Sequence, residues 1–220
     1  MPFDAQTTAA LARELRTKIV DGRVQSLVMP GPLAVGLEIF KGGVGRQHLI
    51  ISAHPENARV HLTGTAPSRD PEQHPPLLLL LRKYVRGGTV TAVSQPPHER
   101  VLRLSIDKRI APDKHQEYHF EGDFRRGTGM NHGRKAEGEG DPGEGEEDGA
   151  EWPVVRVSLF IEVMGRLSNL VLVDDGGVIL DAIKRIPPSL NRYRTTLPHQ
   201  PYLPPPPQDK RDPARATPNS

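Results

Sequence analysis

Glu99 and Arg100 stand together after Pro96-Pro97-His98, at the entry to an apolar run. A carboxylate beside a guanidinium on a proline-stiffened loop can take a base edge and a phosphate together, because arginine offers a planar fork of donors. Left on an open surface, the same two residues would form an ion pair contributing only ~0–1 kcal/mol. A second group is the polar break Met164-Gly165-Arg166-Leu167-Ser168-Asn169. Its glycine permits close backbone approach and Arg166 can reach a phosphate. Ser168 and Asn169 can equally well satisfy backbone groups at a sheet corner. Arg82 and Lys83 follow a run of leucines and are expected to emerge where a buried helix meets solvent.

Enzyme signatures are sparse. The chain has no glycine-rich phosphate loop, no Ser-His-Asp set and no clustered pair of carboxylates. His115 and His119 are four apart, but Gln116 occupies the place where a zinc protease has its glutamate. The absence of cysteine excludes disulfides, thiolate metal sites and a cysteine nucleophile, and fits a reducing compartment. Met1-Pro2 is the one enzyme-like hint, since removal of the methionine would expose a proline amine able to form a Schiff base. No metal and no cofactor is expected, and the chain is read as a binding protein rather than an enzyme.

The elements that must position these groups follow from periodicity. Residues 4–21 read as an amphipathic helix with Leu11, Leu15 and Ile19 on one face, Asp4 or Thr7 as cap and Asp21-Gly22 as a glycine stop. Short strands are expected at 23–29, 33–40, 48–52 and 59–62, broken by Pro30-Gly31 and Gly42-Gly43. Pro75 or Pro76 opens a second, buried helix over 77–86 that ends at Gly87-Gly88. Residues 89–95 and 101–108 form an antiparallel pair, with a further short strand at 117–120. The stretch 158–186 then supplies a strand, the polar break, and a hairpin over 170–173 and 178–182. Asp174-Asp175-Gly176-Gly177 is the hairpin's turn, of the primed kind that needs φ > 0 at its central residues.

Hydrophobic residues make up 35% of the 220, below the ~45–50% usual for globular chains, while Gly (21) and Pro (23) are abundant. The deficit is local. Residues 121–151 carry ten acids against four bases, which leaves 25 bases and 17 acids elsewhere. Residues 122–150 are therefore expected to be a disordered acidic insertion, too poor in apolar surface to offset their ordering entropy. The rest is a basic body suited to an anionic partner such as RNA. The fold expected is α+β: a β-sandwich-like domain of short antiparallel strands with two main helices, over 1–197, followed by a Pro-rich flexible tail at 198–220. Five leucines at 77–81 fall far short of the ~20 apolar residues a membrane helix needs. No leader pattern of basic then apolar residues opens the chain, so a cytoplasmic protein is expected.

Several stretches resemble one family when taken in register. These are EVMGRLSNLVLVDDGGVILDAIKRI at 162–186, Phe3-Asp4 leading into ARELRTKIVDGRV, HLIISA with ARVHL, LLLRKYVRGGTV, and the ending with PPPPQDK. Together they resemble the N-terminal domain of the NFACT family, found in bacterial ribosome-associated quality-control factors of the RqcH kind and in proteins labelled fibronectin-binding protein A. The resemblance implies an RNA-binding domain that grips tRNA on the large ribosomal subunit, beside a stalled peptidyl-tRNA, during non-templated alanine tailing. It assigns tRNA contact to Glu99 and Arg100, where the family usually has Asp before Arg, and to Asp4. It extends the assignment to Arg82, Lys83, Arg166, Ser168 and Asn169, with Leu167 standing where the family usually has His. It implies a fold like the N-terminal domain of formamidopyrimidine-DNA glycosylases, whose acidic residue after the proline is Phe3 here. It also implies further domains beyond Lys210. Two other functions are carried as alternatives: a fibronectin-binding surface adhesin, and a glycosylase or lyase acting through Pro2.

Overall fold

The computed structural model describes residues 3–72, 75–111 and 152–206. The chain parts into two compact units, residues 1–108 with 154–220, and residues 109–153. In the second unit, Ile110 N–H donates to the carbonyl of Pro153 at 3.3 Å. The expected insertion at 122–150, the short strand at 117–120, the His115/His119 pair, Pro2 and the far tail lie outside the described residues.

The first unit is an antiparallel sheet with two helices, an α+β fold. Helix α1 (Ala5–Ile19) is followed by β1 (Arg23–Gly31), β2 (Ala34–Lys41), β3 (Gly45–Ser52) and β4 (Arg59–Thr63). Helix α2 (Pro76–Tyr84), β5 (Thr89–Ser94) and β6 (Val101–Arg109) come next. The chain closes with β7 (Val154–Glu162), β8 (Asn169–Asp174) and β9 (Ile179–Ala182). The strands form one hydrogen-bonded order, β4-β3-β2-β1-β5-β6-β7-β8-β9. The order narrows at β1 and β5, which share a single register pair, Arg23 with Thr89. Backbone bonds from Asp21 to Val90, Val90 to Gly22, Val24 to Gly88 and Gly87 to Val24 close that seam at 2.7–2.9 Å.

Both helices span the seam. Helix α1 packs on β2 and β5, and α2 on β1, β7 and β9, so each joins the two halves of the sheet. Alternation in β1, β2 and β3 sends Val24, Leu27, Val35, Leu37, Ile39, Leu49 and Ile51 to the core, where all are buried. In α2, Leu77, Leu78 and Leu81 are buried, but Leu79 is 58% exposed. A short helix against a sheet keeps one stripe in solvent, whatever its composition.

Two turns differ from expectation. After α1 it is Asp21, at φ 65, that takes the left-handed conformation. Gly22 is needed instead for closeness, because a Cβ there would stand 2.7 Å from Ile39 Cγ2 and 2.8 Å from the Ile19 carbonyl. The β8–β9 hairpin is not a two-residue primed turn. Gly177 N–H donates to the Asp174 carbonyl, Asp174 N–H to that of Val178, and Gly177 alone has positive φ, at 81°. That is a three-residue loop closed by a left-handed glycine, and Asp174 Oδ1 secures it by accepting from Val178 N–H at 2.8 Å.

Strand β8 is buried at five of its six positions, which requires cover on both faces of the sheet. On one face α2 packs against β7 and β9. The other is crossed by the segment after β9. There Tyr202 stacks on Phe160 with ring centroids 4.0 Å apart, over the cluster of Val171, Val173, Ile179 and Ala182. The first part of the tail expected from Pro198 is thus pinned to the sheet. Ile179 N–H donates to Gln200, His199 N–H to Ile179 and Tyr202 N–H to Gly177, each at 2.8 Å.

Candidate functional site

Pro96, Pro97, His98 and Glu99 form a turn in which Glu99 N–H donates to the Pro96 carbonyl at 3.1 Å. His98 sits at its third position with φ 61, a conformation that normally calls for glycine. A side chain held there stores backbone strain, which persists only where neighbours over-determine the loop. The neighbours are identifiable. Gln95 Nε2 donates both to the Glu99 carbonyl at 2.7 Å and to the Ala5 carbonyl at 3.0 Å, tying the turn to the start of α1. Asp4 caps that same start, its Oδ1 accepting from Thr7 N–H at 2.7 Å. The Arg100 carbonyl accepts from Val163 N–H at 2.9 Å and ties the turn's other side to the end of β7.

Asp4, Glu99, Arg100 and the corner after β7 therefore converge at one end of the sheet. At that corner Met164 N–H donates to Ser168 Oγ at 2.7 Å, and a single 3-10 turn, Gly165–Leu167, projects Arg166 and Leu167 into solvent. Gly165 has φ 58, and a Cβ on it would lie 3.8 Å from the Pro55 carbonyl, so the β3–β4 loop borders the corner.

The residues expected at the site divide by what they touch. Ser168 and Asn169 are buried, and their polar atoms are used internally. Asn169 Oδ1 accepts from Leu170 and Lys184 N–H, while its Nδ2 donates to the Lys184 carbonyl at 2.9 Å and to Thr196 Oγ1 at 3.3 Å. They position the corner. Arg166 is exposed and, among the described residues, has no ion-pair partner. Arg100 is half-buried, and its Nε is a buried donor with no hydrogen-bond acceptor among the described residues. A donor left so is costly, and an incoming acceptor would relieve it.

Arg82 and Lys83 lie elsewhere. Lys108 Nζ donates to the Lys83 carbonyl at 2.6 Å and to that of Arg82 at 3.4 Å, at the C-terminus of α2. Lys108 is seven steps along β6 from Val101, about 24 Å at the rise of an extended strand. Two basic groups thus stand near opposite ends of β6. Cations at the end of α2 are favourable in themselves, because they oppose the helix dipole.

A buried network escapes a reading of sequence spacing. Glu162, fully buried at the end of β7, is clasped by Arg194 through both carboxylate oxygens: Nη1 donates to Oε1 at 2.7 Å and Nη2 to Oε2. Tyr202 hydroxyl donates to Glu162 Oε1 at 3.0 Å, and Arg194 Nη1 also reaches the Leu203 carbonyl at 2.9 Å. Burial alone would lower the Arg194 guanidinium, but the hydrogen bond and charge of Glu162 more than reverse this and raise it. Burial first, and then the Glu162 charge, raise the Tyr202 phenol. The signal that was available is an acid closing an apolar strand, which demands a partner somewhere. Among the described residues no three His, Asp or Glu side chains gather as a metal site would need. No helix among them is long and apolar enough to cross a membrane.

Comparisons bear on what this arrangement serves. The family model described as NFACT N-terminal and middle domains matches residues 4–220. The chain is 33% identical over 218 residues to the Rqc2 homolog RqcH of Bacillus subtilis, covering 99% of this chain and 31% of that protein. It is 27% identical over 214 residues to the Rqc2 homolog RqcH of Streptococcus pneumoniae, covering 97% of this chain and again 31% of the relative. Among solved structures, the N-terminal part of the fibronectin/fibrinogen-binding protein of Streptococcus suis superposes with a TM-score of 0.73 at 25% identity, over 98% of this chain and 66% of that one. The N-terminal domain of the fibronectin-binding protein PavA of Streptococcus pneumoniae gives 0.70 at 27% identity, over 93% and 62%.

Proposed function

Because this chain belongs to the NFACT family, we propose that it is the RNA-binding domain of a ribosome-associated quality-control factor. In this reading it grips tRNA on the large ribosomal subunit while alanine is added, without a template, to stalled nascent chains. The observation that carries the reading is Arg100, whose buried Nε has no acceptor among the described residues and sits on a turn tied to both α1 and β7, with exposed Arg166 beyond the same corner. A guanidinium carried on a fixed backbone loses less freedom on binding and can meet a phosphate and a base edge at once. Peptidyl transfer would be the ribosome's chemistry, so this chain needs no catalytic residue, cofactor or metal. The likeness to the N-terminal domain of formamidopyrimidine-DNA glycosylases is carried as part of this proposal, as a body that holds nucleic acid, without their proline chemistry. A cytoplasmic location goes with the same reading.

RNA recovered with the chain from cells and sequenced should be enriched in tRNA. Arg100→Lys keeps the charge and loses the fork, so it should forfeit most of the ~1–3 kcal/mol of a good bidentate contact. Glu99→Asp should be mild or favourable. Affinities measured at two salt concentrations separate this from diffuse attraction: loss of the fork lowers affinity at both with the salt slope kept, whereas loss of a phosphate-neutralising charge also reduces the slope. Equal tRNA binding by Arg100→Lys and the parent at both salts would sink the paired site. The names of the two solved relatives favour a second reading, fibronectin binding. Retention of the chain on immobilised fibronectin, with no tRNA recovered from cells, would put the adhesin first.

A further inference from the structure

Tyr193 is 87% exposed and Leu190 78% exposed, on the loop that follows β9. The loop is not slack. Leu190 and Asn191 N–H both donate to the Pro187 carbonyl, at 3.0 and 3.2 Å. Asn191 Oδ1 turns back to accept from Tyr193 N–H at 2.9 Å and from Arg194 N–H at 3.4 Å. The residue after Tyr193 is Arg194, buried and clasped by Glu162, and Thr196 Oγ1 accepts from Ile186 N–H at 3.0 Å across the loop's base. A large ring is therefore held out in water on a pedestal fixed at both ends. The backbone that carries it has little freedom left to lose, which favours binding by an exposed aromatic.

The local charge says what it would bind. Between Ala182 and Gln208 stand Lys184, Arg185, Arg192 and Arg194 and no carboxylate. Arg185 and Arg194 are neutralised by Asp181 and Glu162. Arg192, next to the exposed ring, has no ion-pair partner among the described residues. Leu190 and Tyr193 together expose little apolar area for a protein interface, whereas a ring with an unneutralised arginine on the preceding residue matches the repeat of an unpaired strand, a base and then a phosphate. We propose that Tyr193 is a stacking platform for an unpaired RNA base, with Arg192 on the adjoining phosphate. The proposal rests on the RNA-binding reading above and assigns it a preference for unpaired over duplex RNA.

The test uses the whole chain and two labelled RNAs, a hairpin with an unpaired loop and a blunt duplex of the same length. The parent should favour the looped RNA. Tyr193→Ala should bind that RNA about tenfold more weakly and the duplex unchanged, as loss of one stacked base requires. Tyr193→Trp should keep the preference, and its indole emission should be quenched by looped RNA, against the parent's single Trp152 as baseline. Unchanged affinity of Tyr193→Ala for the looped RNA, or no quench in Tyr193→Trp, overturns the platform and leaves the ring to a protein partner. In that case the RNA-binding reading stands. Failure of the parent to bind either RNA is a different result and removes the reading on which the platform rests.

Discussion

His61 shows how a single side chain couples this sheet to pH. It stands on β4 opposite Ile50, and its Nδ1 is buried with no hydrogen-bond partner among the described residues. Burial first, and then the positive charge of Arg59, lower the imidazole below its ordinary value of 6.5. The folded chain thus holds a proton there less readily than the unfolded chain does. The stability this side chain contributes is complete above pH 6.5 and falls as pH drops from that value through the lowered one. His61→Gln should flatten the acid limb of a plot of melting temperature against pH; an unaltered limb would show that the loss comes from other groups. Residue-level features near the turn were only half legible. Pro96-Pro97 announced a stiff loop before Glu99-Arg100, but nothing in the spacing told that His98 would take the left-handed place usual for glycine. Tertiary ties through Gln95 and Arg100 impose it.

At the scale of elements, the strap after β9 is held by one buried ion pair whose two members are almost wholly out of water. Removing a partner from such a pair strands the other charge, at a cost of about 3–5 kcal/mol. Arg194→Met should therefore destabilise the chain by that order in urea unfolding. Adding Glu162→Gln should recover part of the loss, since the stranded carboxylate is gone and Tyr202 keeps an acceptor. Independent, additive effects would mean that the pair does not hold the strap. Helices and hairpins could be read from the sequence because each is decided by neighbours in the chain: Leu11, Leu15 and Ile19 by helical period, β5 and β6 by alternation around a short loop. The strap could not. Glu162 meets Arg194 and Tyr202 across 32 and 40 residues. The intervening prolines read as a tail, although they lead the chain across a sheet face. Spacing gave no link between Asp4 and the turn at Glu99 either; only the family resemblance set them together, and Gln95 makes the tie through Ala5.

For the molecule as a whole, the sheet order places β6 beside β7, so the stretch between them opens and closes at neighbouring strands. Excising residues 122–150 and rejoining the chain with a short Gly/Ser link should leave the melting temperature nearly unchanged. A large fall would show that the acidic stretch contributes to the fold. The two basic groups near the ends of β6 are far enough apart that Arg82→Ala and Arg100→Ala should weaken RNA binding additively. The seam between β1 and β5, by contrast, could not be foreseen from patterning, because a single register pair leaves no periodic trace. One feature of the last strand reaches beyond the isolated molecule. β9 ends the sheet order, and its outward backbone groups are taken by the strap at Ile179 and by the bridge of Val178 with Pro201. An open strand edge is a template on which further copies polymerise. The strap occupies that template with a segment carrying Pro198 and Pro201, neither of which has an amide proton to pass the ladder on. With the strap in place that edge offers no free ladder at Ile179, and a chain truncated before Pro198 should scatter light on standing where the 220-residue chain stays clear.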